Sequence, residues 1–181
     1  MVPFLVVLAS TLVFGHLNVS NATTGSPQWS QDLAFFQQWV HSASSGGPWA
    51  SPLILEPQGV FEQVHTHLIM PVVVAAYRVF PAQDTLLWLH SFAAALVLWP
   101  AYRLGERVGG GQHAILCCIG IVLFGPFQAV AVADFRPVAL FLPGIVGLWA
   151  AAHRSALLPC LGWGLLALSG RQEASYLIAS S

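Results

Sequence analysis

The chain has 181 residues, of which 56% are apolar and 7% charged, with a formal net charge of −1. Soluble domains carry about 25% charged residues, so six Arg, seven Asp/Glu and no Lys cannot clothe a globule of this size. High apolar content excludes disorder, and the lack of positive charge excludes a nucleic-acid partner. An integral, multi-pass membrane protein of the all-α class remains.

A spanning helix needs roughly 20 residues, rising about 1.5 Å each. Charge-free runs cover 2–31, 85–102, 108–133, 138–153 and 155–170. They predict five transmembrane helices at about 2–17, 84–104, 112–133, 137–153 and 156–178. All belong to one membrane domain over 1–181, with a long outer loop at 18–83. The first segment, VPFLVVLASTLVFGHL, also has the length of a signal peptide. It lacks a basic start, and four hydrophobic segments follow, which favours an uncleaved first helix.

After it, NVSNATTGSPQWSQ reads as polar loop. Asn18-Val19-Ser20 and Asn21-Ala22-Thr23 fit the glycosylation pattern, as Ser/Thr-rich loops often do by chance. DLAFFQQWVHSA places Leu33, Phe36, Trp39 and Val40 at helical spacing, which suits an interfacial helix with aromatic groups in the headgroup layer. Residues 68–80, LIMPVVVAAYRVF, cover only about 20 Å as a helix and predict a re-entrant or interfacial piece on the outer side. That arrangement leaves Arg103, Arg107 and Arg154 in the cytoplasm, as the positive-inside tendency prefers.

Gly109-Gly110-Gly111 reads as the cytoplasmic turn between the second and third spans; without a following Lys-Ser/Thr it is no phosphate loop. Cys117, Cys118 and Cys160 sit in apolar runs at no metal or redox spacing, so small buried hydrophobes is the better reading. His16, His90 and His113 suit helix-end or interhelical hydrogen bonds. His65 and His67 could share a metal on a strand but diverge on a helix.

The predicted topology gathers Asp32, His65, Asp134, Arg136, Arg171 and Glu173 on the outer side. Ionisable groups at membrane depth mark a functional site by default. A carboxylate can serve as general base, and the Arg fork suits a phosphate. In the plainer alternative Arg136 pairs with Asp134 and Arg171 with Glu173, each closing a loop.

Four motifs carry a family likeness: Asp32-Leu33-Ala34-Phe35-Phe36-Gln37-Gln38; Val64-His65 running on to Tyr77 and Phe80-Pro81; Asp134-Phe135-Arg136-Pro137; and Arg171-Gln172-Glu173. In their order and spacing over about 31–177 the chain resembles a widespread family of polytopic membrane proteins of unknown function, grouped with the GT-C glycosyltransferase superfamily. It departs from that pattern at Gln37, Val138 and Gln172, where acidic positions are replaced, and at Arg136, where the family has His. Family members continue through more helices, so this chain is expected to be an N-terminal portion or a truncated copy.

The resemblance implies a GT-C-like N-terminal portion and transfer of a sugar from a polyprenyl phosphate, with membrane lipids as surroundings. Asp32 would act as general base, Asp134 and Glu173 as further catalytic carboxylates. Arg136 and Arg171 would hold the lipid phosphate, and His65 would orient donor or acceptor. No cofactor is implied, and a divalent metal, though conceivable, has no ligand set behind it. The competing expectation is a non-catalytic membrane protein, either an inactive remnant or a transporter component.

Overall fold

The computed structural model describes residues 1–24, 31–47 and 69–170, all helix and connecting turns. The helices are α1 (Val2–Thr23), α2 (Gln31–Ser44), α3 (Met70–Val79), α4 (Gln83–Ala95), α5 (Leu98–Leu123), α6 (Gly125–Ala131), α7 (Phe141–Ala152) and α8 (Leu157–Gly170), with a 3-10 turn at Pro137–Leu140 before α7. Among the described residues two stretches are long and apolar enough to cross a membrane, Val2–Thr23 and Gln83–Leu123. The expected second span, 84–104, falls within Gln83–Leu123, and the third, 112–133, begins there. Pro137–Ala152 and Leu157–Ser169 are apolar but shorter, and the end of the expected fifth span, 171–178, lies outside the described residues.

Local chemistry explains these boundaries. Pro100 has no N–H to offer Leu96, so the chain tightens there and Trp99 N–H reaches the Leu96 carbonyl instead, at 3.1 Å. Both Leu96 and Val97 keep right-handed helical dihedrals, so α4 leads almost directly into α5. Halfway along α5, Gly109 and Gly110 leave helical geometry, Gly110 at φ 76°. This left-handed conformation costs glycine little. The predicted glycine turn is therefore present, and α5 is two antiparallel arms. A Cβ on Gly105 would lie 2.7 Å from the Ala114 Cα, so only glycine lets the arms close this tightly.

Pro126 ends the second arm. Phe124 turns extended, and the Val122 carbonyl, which Pro126 cannot serve, accepts a 2.9 Å bond from the Gln128 side chain. The predicted 112–133 helix is thus broken between α5 and α6.

Two apolar clusters hold these elements. One joins Val7 and Phe14 of α1 to Ala94, Ala95, Val97, Leu98, Tyr102, Ala114, Cys118 and Phe127. The other joins Leu33, Phe36, Trp39 and Val40 of α2 to Val73 and Tyr77 of α3, Leu86 and Leu87 of α4, and Phe135. The amphipathic reading of α2 holds, but its aromatic face is packed inside protein rather than offered to headgroups; Trp39 is 1% exposed. Helix α3 is ten residues, about 15 Å, and does not approach a bilayer crossing. The Arg78 guanidinium donates to the Ala43 and Ser44 carbonyls at 3.2 and 3.1 Å, capping α2 from α3.

Two further expectations change. The polar stretch after residue 17 begins as helix, since α1 continues to Thr23. Asn18 is fully buried there, its amide donating to Ser91 Oγ at 2.7 Å and the Ala131 carbonyl at 3.0 Å, so it is no glycan acceptor. Of the three cysteines only Cys118 is buried; Cys117 is exposed and Cys160 partly so.

Candidate functional site

The first and third motifs meet. Asp32 lies in the first turn of α2, and Asp134-Phe135-Arg136 forms the turn between α6 and the 3-10 segment. Phe135 is buried and meets Phe36 edge to face, with centroids 5.2 Å apart. Because Phe36 follows Asp32 by one helical turn, this contact also brings Asp32 alongside Arg136. The guanidinium then bridges two carboxylates: Nε donates to Asp134 Oδ1 at 2.9 Å, and Nη2 lies 3.2 Å from Asp32 Oδ2.

The two carboxylates differ in setting. The Asp134 side chain is 2% exposed, whereas Asp32 and Arg136 are about half exposed, at 51% and 48%. A buried carboxylate needs a partner, and its ion pair fixes one edge of the guanidinium. The half-exposed Asp32 can be replaced at the other edge by a ligand oxygen. This gives a fixed cation with an exchangeable anion, suited to phosphate or carboxylate binding.

His90 of α4 holds the turn from behind and was not singled out as a site residue in the sequence. The Arg136 backbone N–H donates to its Nδ1 at 3.2 Å, which leaves the proton on Nε2, 2.7 Å from the Val130 carbonyl. A neutral imidazole thus ties both ends of the 130–136 segment to α4. Its expected interhelical hydrogen bonding is present, although a histidine within an apolar run does not name its partners.

Asp32, Asp134 and Arg136 are therefore brought together; His65, Arg171 and Glu173 lie outside the described residues, as does His67. No group of three or more His, Cys, Asp or Glu able to hold a metal occurs among the described residues. The opposite end of the molecule carries a different set. Arg103 and Glu106 pair at 3.2 Å within one turn of α5, and Arg107 donates to the Ala150 carbonyl of α7 at 3.3 Å. His113 closes the glycine turn, 2.7 Å from the Gly109 carbonyl.

Long apolar helices and a sparse charge complement define a helical membrane protein. The chain belongs to the family described as "Predicted membrane protein (DUF2079)", whose model matches residues 30–181. No curated protein and no solved structure matches it.

Proposed function

We propose that this chain carries the outer-face substrate site of a multi-pass cell-membrane glycosyltransferase that takes its sugar from a polyprenyl phosphate. The observation behind the reading is the Asp32–Arg136–Asp134 cluster, an exposed carboxylate beside a guanidinium anchored by a buried one. A donor phosphate would replace Asp32 at Nη2 of Arg136. Asp32, released, would accept the proton of the acceptor hydroxyl. The hydroxyl oxygen would bond to the anomeric carbon while the bond from that carbon to the phosphate oxygen breaks. The polyprenyl phosphate leaves with the electron pair, its charge met by Arg136. The family resemblance adds His65, Arg171 and Glu173 as candidates for orienting the donor, holding its phosphate and assisting proton transfer.

The test is transfer from a radiolabelled polyprenyl-phosphate sugar in proteoliposomes of the full-length protein. Asp32→Asn should lower the rate by at least about 100-fold, the scale of general-base catalysis. Undiminished transfer by that variant would remove Asp32 from the mechanism. A second reading has its own support, because Arg136 engages both carboxylates and Phe135 locks onto Phe36. In it the cluster is a clamp joining α2 to the 134–137 turn of a non-catalytic protein. It predicts no transfer by the unaltered protein and lower stability on Asp32→Asn.

A further inference from the structure

Between the two arms of α5 and α7 runs an apolar groove of about 380 Å³. Its described walls include Ala101 and Leu104 of the first arm, Cys117, Gly120 and Phe124 of the second, and Val146 of α7. Gly120 opens the floor, since even a Cβ there would meet no neighbour within 4 Å. From Cys117 to Phe124 the lining runs for about 10 Å, at roughly 1.5 Å per residue.

A cation stands at the end of this groove. Arg107 follows Leu104 on α5, about 4.5 Å nearer the glycine turn. Its Nη1 donates at 3.3 Å to the carbonyl of Ala150, which lies one helical turn beyond Val146 on α7. That bond ties α5 to α7 across the groove mouth. It leaves the Nε–Nη2 edge of the fork, whose parallel N–H groups match two phosphate oxygens. The exposed Arg154 lies one turn past Ala150, its backbone N–H donating to the Ala151 carbonyl at 2.9 Å. Arg103 is matched by Glu106 at 3.2 Å. Trp149, 56% exposed, precedes Ala150 and meets the His153 ring with centroids 4.7 Å apart. An exposed indole at a helix end marks the headgroup level of a bilayer.

In the plainer account Arg107 only caps the last carbonyls of α7, and the groove is ordinary lipid-facing surface. A cap uses one N–H of the fork, and ordinary lipid-facing surface has no fixed guanidinium at its end. An apolar trough that runs up to a fixed cation at headgroup depth complements an amphiphile with an anionic head. We infer that the groove holds one acyl chain of an anionic phospholipid, whose phosphate sits on Arg107 and Arg154. The site stands at the end opposite Asp32, Asp134 and Arg136, so this lipid is a bound component of the fold and not a sugar donor. The inference requires only that this end meets a headgroup layer, on whichever membrane face, and is independent of glycosyl transfer.

The experiment reconstitutes the full-length protein in phosphatidylcholine bilayers containing increasing phosphatidylglycerol brominated on its acyl chains. A parallel series uses brominated phosphatidylcholine. The reporter is the tryptophan fluorescence that Trp149→Phe removes, which bromine quenches on contact. Half-quenching should need about 5-fold less phosphatidylglycerol than phosphatidylcholine, the scale of one basic side chain facing an anionic lipid. Arg107→Gln with Arg154→Gln should equalise the two lipids, while the amide introduced at 107 can still cap the Ala150 carbonyl. Gly120→Leu, which fills the groove and keeps every charge, should equalise them too. Thermal unfolding in detergent checks that both variants are folded. Equal quenching by the two lipids in the unaltered protein overturns the inference. So does a preference that survives Gly120→Leu, because that is charge-driven enrichment with no seated chain. Protection of Trp149 from both lipids that ends on dilution into excess bilayer also overturns it, and assigns the groove to a second copy of this chain.

Discussion

The two ends of the molecule use charge in opposite ways. At the glycine-turn end, Arg103 pairs with Glu106 three residues along the same helix, and both side chains are nearly half exposed. At the other end Arg136 joins a residue two positions away to one at position 32, and the nearer carboxylate is buried. The eighteen residue steps from His90 to Val108 rise about 27 Å between these ends. A local, exposed pair adds little to a fold and suits orientation of the helices in a membrane. A pair between distant segments, anchored by a buried carboxylate, holds a tertiary arrangement and presents a cation in fixed geometry. Scarce charge is thus concentrated where it shapes a site at one end, and spread along a helix at the other.

That contrast ranks the variants. Asp134→Ala should cost most, about 3 kcal/mol, the low end for breaking a buried pair because Arg136 keeps half its exposure to water. A drop in thermal unfolding temperature in detergent would register it. A change no larger than that of a surface variant would mean that Asp134 anchors nothing. Next comes His90→Leu, which strands the Arg136 N–H and the Val130 carbonyl, at about 1–3 kcal/mol. His90→Asn, whose side-chain oxygen can stand near the Nδ1 position, should recover part of that loss in the same melt.

Smaller still is Asp32→Ala, an exposed partner worth under about 1 kcal/mol of stability. Its activity loss in the transfer assay should far exceed that small shift, and a large melt shift without an activity effect would favour the clamp. The least effect is expected from Glu106→Gln, at about 0.5 kcal/mol or less and weakening with added salt. If it rivalled Asp134→Ala, the distinction between the ends would collapse.

Composition made the membrane class and the all-helical fold legible, because so few charges permit little else. The glycine turn was legible for the same local reason, three glycines between two apolar runs. The pairing of Arg136 with Asp134 could be anticipated from adjacency, whereas its bridge to Asp32 depends on Phe36 meeting Phe135 across a hundred residues, which no local pattern encodes. Asn18 misled because Asn, Ser and Thr favour loops by composition. In the fold, Ser91 and the Ala131 carbonyl take up its amide, so the helix continues through it. Trp39 and Phe36 misled similarly: an amphipathic stripe tells which face is apolar but not whether lipid or protein covers it.

The central claim is that the Asp32–Arg136–Asp134 end and the glycine-turn end stand on opposite membrane faces, with the former outside. It can be tested directly by single cysteines in a background lacking Cys117, Cys118 and Cys160. Ser45→Cys, exposed just beyond α2, and Gly111→Cys, where a Cβ meets no neighbour within 4 Å, report the two ends. With a membrane-impermeant thiol reagent on intact cells, Ser45→Cys should be labelled and Gly111→Cys only after permeabilisation. Labelling of both from the same side, or the reverse order, would contradict it.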